Sequence, residues 1–253
     1  MLRRTLLATL FLATPLQAQV DQQALARELM SGDPNALAQA QRLGRGNTGP
    51  DVRAALIALL EKNNQAEEGN VANPEFVVHV AHTVSQLGDP AAIPALAGAL
   101  GSGSMLVRDA LAEFGDRAAP EVLRVVTSPA SHYSAVDQGL IALRFMAEGH
   151  GGRLSPATLD RIRGAAMQRL TGRQYFTTLW QAIDLAIALN DAELRQIVES
   201  LAASRDTVAA RGIVNPLIIE RTQTRATTRL AVPRAAPTYR SLAERDRLLN
   251  DPR

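Results

Sequence analysis

Cysteine is absent from all 253 residues, lysine occurs once, at Lys62, and aromatic residues make up only 4%. Without cysteine there are no disulfides and no lipobox attachment of lipid. A fold outside the cytoplasm would therefore rest on its apolar core alone. Beside 46% hydrophobic residues, the scarcity of aromatics leaves alanine and leucine as most of the apolar mass. That composition suits closely packed helices and disfavours β-sandwiches. No alternating apolar–polar run is long enough for a strand. One lysine among 27 basic residues reads as GC-rich codon usage, since ordinary surface positions carry arginine. A net charge of only +2 argues against bulk electrostatic binding of nucleic acid.

Charge is unevenly spread. Residues 19–204 carry 15 basic and 20 acidic side chains, a balance of −5, whereas residues 205–253 carry 10 and 5, a balance of +5. A basic end on an acidic body attracts acidic partners or lipid headgroups, or folds back on the body. At the other end, Met1-Leu-Arg-Arg4 is a short positive start and Thr5 to Leu16 an apolar run. Leu16-Gln17-Ala18 then offers a small residue for cleavage before Gln19. The run is too short to span a bilayer comfortably. Residues 1–18 are expected to be a cleaved signal peptide, leaving a periplasmic or secreted protein that is not a lipoprotein.

Internal repeats organise the rest. Ser31-Gly-Asp-Pro-Asn-Ala-Leu-Ala38, Leu87-Gly-Asp-Pro-Ala-Ala-Ile-Pro-Ala-Leu96 and Phe114-Gly-Asp-Arg-Ala-Ala-Pro-Glu-Val-Leu123 align on a Gly-Asp turn. Asp33, Asp89 and Asp116 are spaced by 56 and 27 positions, consistent with a unit of about 28 residues. Leu189-Asn-Asp-Ala-Glu-Leu194 opens a fourth, degenerate copy. A second motif, Asp51-Val-Arg-Ala-Ala-Leu56, recurs as Leu106-Val-Arg-Asp-Ala-Leu111, offset by 55. These words resemble HEAT-like repeats of the kind also found in phycobilin lyases. The resemblance covers residues 30–125, is degenerate to about 228 and is absent from the tail. It implies an all-α fold, an α-solenoid of about five or six helix pairs over residues 19–230. Residues 231–253 form a basic tail containing Pro233 and Pro237, expected to be mostly flexible.

Helix starts are legible where a capping side chain precedes proline: Asp33-Pro34, Asn73-Pro74, Asp89-Pro90 and Ser155-Pro156. Pro94 should kink or tighten its first turns. The predicted helices are 21–31, 34–44, 50–63, 74–87, 90–100, 104–114, 118–127, 134–148, 156–171, 174–189, 191–203 and 206–228. The last is interrupted at Asn215-Pro216.

Candidate chemistry is thin. Gly44-Arg-Gly-Asn-Thr-Gly49 matches a dinucleotide fingerprint in letters, but a helix precedes it where that motif needs a strand. Its glycines suit an interhelix turn. His79 and His82 face one side of a helix without a third ligand nearby. The paired His-Glu dipeptides of HEAT-repeat di-iron hydroxylases do not occur. Ser131, His132, Ser134 and Asp137 crowd together, but catalytic triads converge from distant segments; Ser134 to Asp137 fits a helix cap instead. Arg53 and Arg108 occupy the repeated Val-Arg position, which in such repeats supports a ladder between units. Tyr175 and Trp180 are the main aromatic cluster, either core or anchors for a partner. In the tail, Arg240, Arg245 and Arg247 are candidates for steering an acidic partner or touching an anionic membrane surface. The expected function is a non-catalytic scaffold for another protein, needing no cofactor or metal. The alternative is an enzyme or ligand binder whose site is built from scattered residues.

Overall fold

The computed structural model describes residues 21–65, 74–232, 239–241 and 244. Among them every regular element is helical. The helices are α1 (Gln22–Met30), α2 (Pro34–Asn47), α3 (Pro50–Asn64), α4 (Pro74–Leu87), α5 (Ile93–Gly98), α6 (Met105–Phe114) and α7 (Ala119–Thr127). There follow α8 (Tyr133–Ala147), α9 (Pro156–Thr171), α10 (Phe176–Leu189), α11 (Ala192–Ala203), α12 (Arg205–Ala209) and α13 (Pro216–Ala231). Short 3-10 turns cover Pro90–Ala92, Ala99–Ser102 and Gly115–Arg117. The first explains Pro94: the chain enters α5 through a tighter helix that needs no N–H from that residue.

The Gly-Asp repeat is a repeat of backbone geometry. Gly32, Gly88 and Gly115 all take positive φ, at 82°, 60° and 53°. In the degenerate fourth copy Asn190 takes the same region at 52°, the one non-glycine residue described there. Asparagine tolerates the left-handed region better than other side chains, so the turn survives the loss of glycine. The following aspartate then caps the next helix. Asp33 accepts from the Asn35 amide at 2.9 Å, Asp89 from Ala91 at 2.9 Å, and Asp191 from Glu193 and Leu194 at 3.0 Å. Asp116 departs from the rule: its carboxylate accepts from the amide and hydroxyl of Ser155, stitching its turn to the start of α9.

Helices pack on their second neighbour along the chain. Contacts run from α1 to α3, α5, α7, α9 and α11, and in a second series from α2 to α4, α6, α8, α10 and α13. The two series face each other through α3 on α4, α7 on α8, α9 on α10 and α11 on α13. Between them lies one apolar core, including Leu29, Leu56, Leu96, Leu111, Leu140 and Ile183. Small residues allow the close approach: a side chain at Gly139 on α8 would collide with Val126 of α7. No helix among the described residues is long and apolar enough to cross a membrane.

Gly44, at φ 64° and ψ 173°, breaks the end of α2, so the glycine-rich stretch is a helix-to-helix turn with no strand before it. Arg53 braces that turn by donating to the carbonyls of Thr48 at 2.8 Å and Arg45 at 3.4 Å. Of the tail, Tyr239 and Arg240 are seated against the α6–α8 region. Residues 1–18, expected from sequence to be a signal peptide, and Arg245 and Arg247 lie outside the described residues.

Candidate binding site

Two places gather unusual side chains. The first is a cavity of about 320 Å3 where α8 and α10 begin, lined by Tyr133, Arg169, Arg173, Gln174, Tyr175 and Arg211 among others. Its parts come from three separate stretches of chain. Gln174 donates its backbone N–H to the Arg211 carbonyl at 2.9 Å, which ties the loop before α10 to the loop before α13. Arg169, in the last turn of α9, donates from Nε to the carbonyl of Val126 at 2.8 Å, closing the end of α7. Its Nη1 reaches Gln174 Oε1 at 3.2 Å. Burial holds the Arg169 guanidinium below its ordinary pKa.

Tyr133 and Tyr175 form the rim, their ring centroids 4.4 Å apart and 34° between planes. They are 44% and 49% exposed, and they are the described aromatics that stay largely open to solvent. The aromatic contacts continue from Tyr175 to Phe176 at 4.8 Å and from Phe176 to Trp180 at 5.1 Å. The structure thus joins Tyr175 and Trp180 through Phe176, in different roles. Trp180 is partly buried, donates Nε1 to the Thr222 hydroxyl at 2.9 Å, and borders a second recess with Leu217 and Arg221.

The neighbouring Ser-His-Asp residues are structural. His132 caps α8 through Nδ1, which accepts from the Ser134 amide, so the cap falls two residues before Ser134. Asp137 accepts from the hydroxyls of Thr177 and Thr178 on α10. Burial raises its pKa, opposed by those hydrogen bonds and by His132.

The second place is a buried ion network across α6, α8, α10 and α13. Asp184 is 1% exposed and is contacted by Arg225, by Arg229 at 3.2 Å and by Arg144 at 3.9 Å. Arg144 also faces Glu148 at 3.6 Å. On α6, Arg108 pairs with the fully buried Asp109 at 2.7 Å, and both Arg108 and Arg144 lie over the Phe145 ring. Burial raises the Asp184 carboxyl pKa, against the pull of its three arginines. Its centre, Asp184 with Arg144 and Arg229, is buried, and the network ties α8, α10 and α13 together. Sequence reading missed it, because Arg144 sits between Leu143 and Phe145 with nothing in the pattern to mark it as buried.

Arg240 lies away from the tyrosine cavity, against the buried network. Its backbone N–H donates to Asp109 Oδ2 at 3.1 Å. His79 and His82 lie 6.3 Å apart, and among the described residues no three His, Cys, Asp or Glu side chains gather as a metal site. In comparison with known proteins, no family model and no curated protein matches this chain.

Proposed function

We propose that this protein is an exported, non-catalytic interaction scaffold: an α-solenoid of HEAT-like helix pairs that presents its surface to another protein. The packing of each helix on its second neighbour supports the solenoid, as does the positive φ repeated at Gly32, Gly88, Gly115 and Asn190. The apolar start of the chain supports export, with the mature protein beginning at or near Gln19.

One observation carries the binding role. Two adjacent tyrosines stand open to solvent in a chain that otherwise keeps its described aromatics at least partly buried. Tyrosine supplies large contact area at low entropy cost and is enriched at docking hot spots. A photo-crosslinking residue placed at Tyr175 should capture one discrete protein in living cells. The same residue at Leu159, exposed at the opposite end of α9, should not. Equal labelling from both positions, or none from Tyr175, would count against docking here.

The scattered-residue ligand site stays as the second reading, because the cavity draws its lining from three distant segments.

A further inference from the structure

We infer that the cavity beneath Tyr133 and Tyr175 is an anion pocket, and that it receives a carboxylate-bearing segment of the partner; this deepens the scaffold reading and rests on it. Arg169, Arg173 and Arg211 line the cavity and no carboxylate does. Arg169 is hydrogen-bonded to neutral oxygens of Val126, Gln174 and Ser128, which satisfy its N–H groups without compensating its charge. Arg211 buries its Nε with no hydrogen-bond partner among the described residues. Arg173 lies across Gly212, where φ is +87° and a side chain would press on its Nε at 3.3 Å. Three guanidiniums are thereby held around one space.

The backbone adds to them. α10 begins at the cavity with Tyr175 in the capping position, no side-chain cap and no acid in its first turn. Its open N–H groups and positive dipole end favour a negative group. Asp137 offsets part of this charge, but its carboxylate is engaged by Thr177 and Thr178. The balance stays positive.

Size and rim identify the ligand class. A space of about 320 Å3 admits one side chain or chain end more readily than a whole cofactor. Planar guanidinium forks match a carboxylate bidentately. The exposed tyrosine pair offers the residues next to that carboxylate a surface to lie on, which a bare inorganic anion would leave unused.

Fluorescence anisotropy of dye-labelled hexaglutamate against the full chain tests this, with hexaglutamine as the neutral control. Hexaglutamate should bind and hexaglutamine should not. Arg173→Gln with Arg211→Gln should weaken binding by about tenfold or more. Arg153→Gln with Arg161→Gln, the same charge loss at exposed positions elsewhere, should leave it within about twofold. Should Arg211→Gln disturb folding, Arg173→Gln alone serves, since its exposed side chain can be removed from the rim. Equal weakening by both pairs overturns the pocket in favour of general charge attraction. Arginine-dependent binding of inorganic phosphate without hexaglutamate binding overturns the peptide ligand. A crosslink from Tyr175 that persists in Arg173→Gln/Arg211→Gln while hexaglutamate fails to bind leaves the scaffold standing and removes the anion pocket. Arginine-dependent hexaglutamate binding with no crosslink does the reverse.

Discussion

Tyr239 lies nearly flat on the imidazole of His150, with 4.1 Å between ring centroids and 19° between planes. Phe145 meets the same tyrosine edge-on at 5.4 Å, and the next residue, Arg240, donates its N–H to the buried Asp109. Tyr239 and Arg240 are thus seated on segments much earlier in the sequence. Tyr239→Ala should cost about 1–2 kcal/mol, since aromatic pairs add about 0.5–1.5 kcal/mol beyond the area they bury. Thermal unfolding should show a midpoint lower by several degrees. An unchanged midpoint would mean the stacking contributes nothing to the fold.

The repeated turn makes an ordered prediction. At Gly32 a new side chain meets nothing within 4 Å, so Gly32→Ala carries only the cost of positive φ, about 1–2 kcal/mol. Gly32→Asn should cost less, since Asn190 already occupies the equivalent place in the fourth copy. Gly115→Ala should cost most, because its side chain would strike the backbone carbonyl of Gly151. Urea midpoints should fall from Gly32→Asn through Gly32→Ala to Gly115→Ala, and equal losses at Gly32 and Gly115 would contradict the close approach of Gly115 to Gly151.

Removing Asp184 should be severe. Asp184→Ala removes the buried carboxylate shared by Arg225, Arg229 and Arg144, and breaking a buried pair costs about 3–5 kcal/mol. Arg163→Ala, which breaks a pair with Asp191 and Glu193 at the surface, should change the midpoint little. Similar losses from the two variants would show that the buried network is not holding α8, α10 and α13 together.

Burial, reinforced by His79, holds the His82 imidazole below its ordinary pKa of 6.5. Its folded pKa is depressed, so the unfolded chain takes up the proton first as pH falls. Stability from this group is intact above 6.5 and declines as pH falls through that value towards the folded pKa. Between about pH 7.5 and about pH 5.5, the wild-type midpoint should drop further than that of His82→Gln. The same drop in both would remove His82 as the cause.

Local signals in the sequence read well here and spatial ones did not. Pro34, Pro50, Pro74 and Pro156 each start a helix at the expected residue, because a proline at the first helical position costs no hydrogen bond, whereas the helix expected over 206–228 is two, with Pro216 opening the second. The Gly-Asp turns at Asp33 and Asp89 were equally legible, since positive φ and the carboxylate cap are both decided within three residues, but Asp116 is claimed by Ser155 from a distant segment. Asp137 was not: it sits where a capping acid would be expected, but Thr177 and Thr178 arrive from a helix some forty positions later and claim it. The cavity follows the same logic. Tyr175 stood out as an aromatic in an aromatic-poor chain, whereas Arg169, Arg173 and Arg211 are three arginines among many until folding gathers them.

If Tyr133 and Tyr175 dock a protein partner, their rings are needed for capture and not for folding. Tyr133→Ser with Tyr175→Ser should leave the fold intact, because both rings are already largely exposed. Quantitative capture from the cell envelope, comparing this variant with wild type and with Leu159→Ser, measures the claim directly. The protein crosslinked through position 175 should fall at least about tenfold in the tyrosine variant and be retained by Leu159→Ser. Undiminished capture by a folded Tyr133→Ser/Tyr175→Ser protein would contradict it.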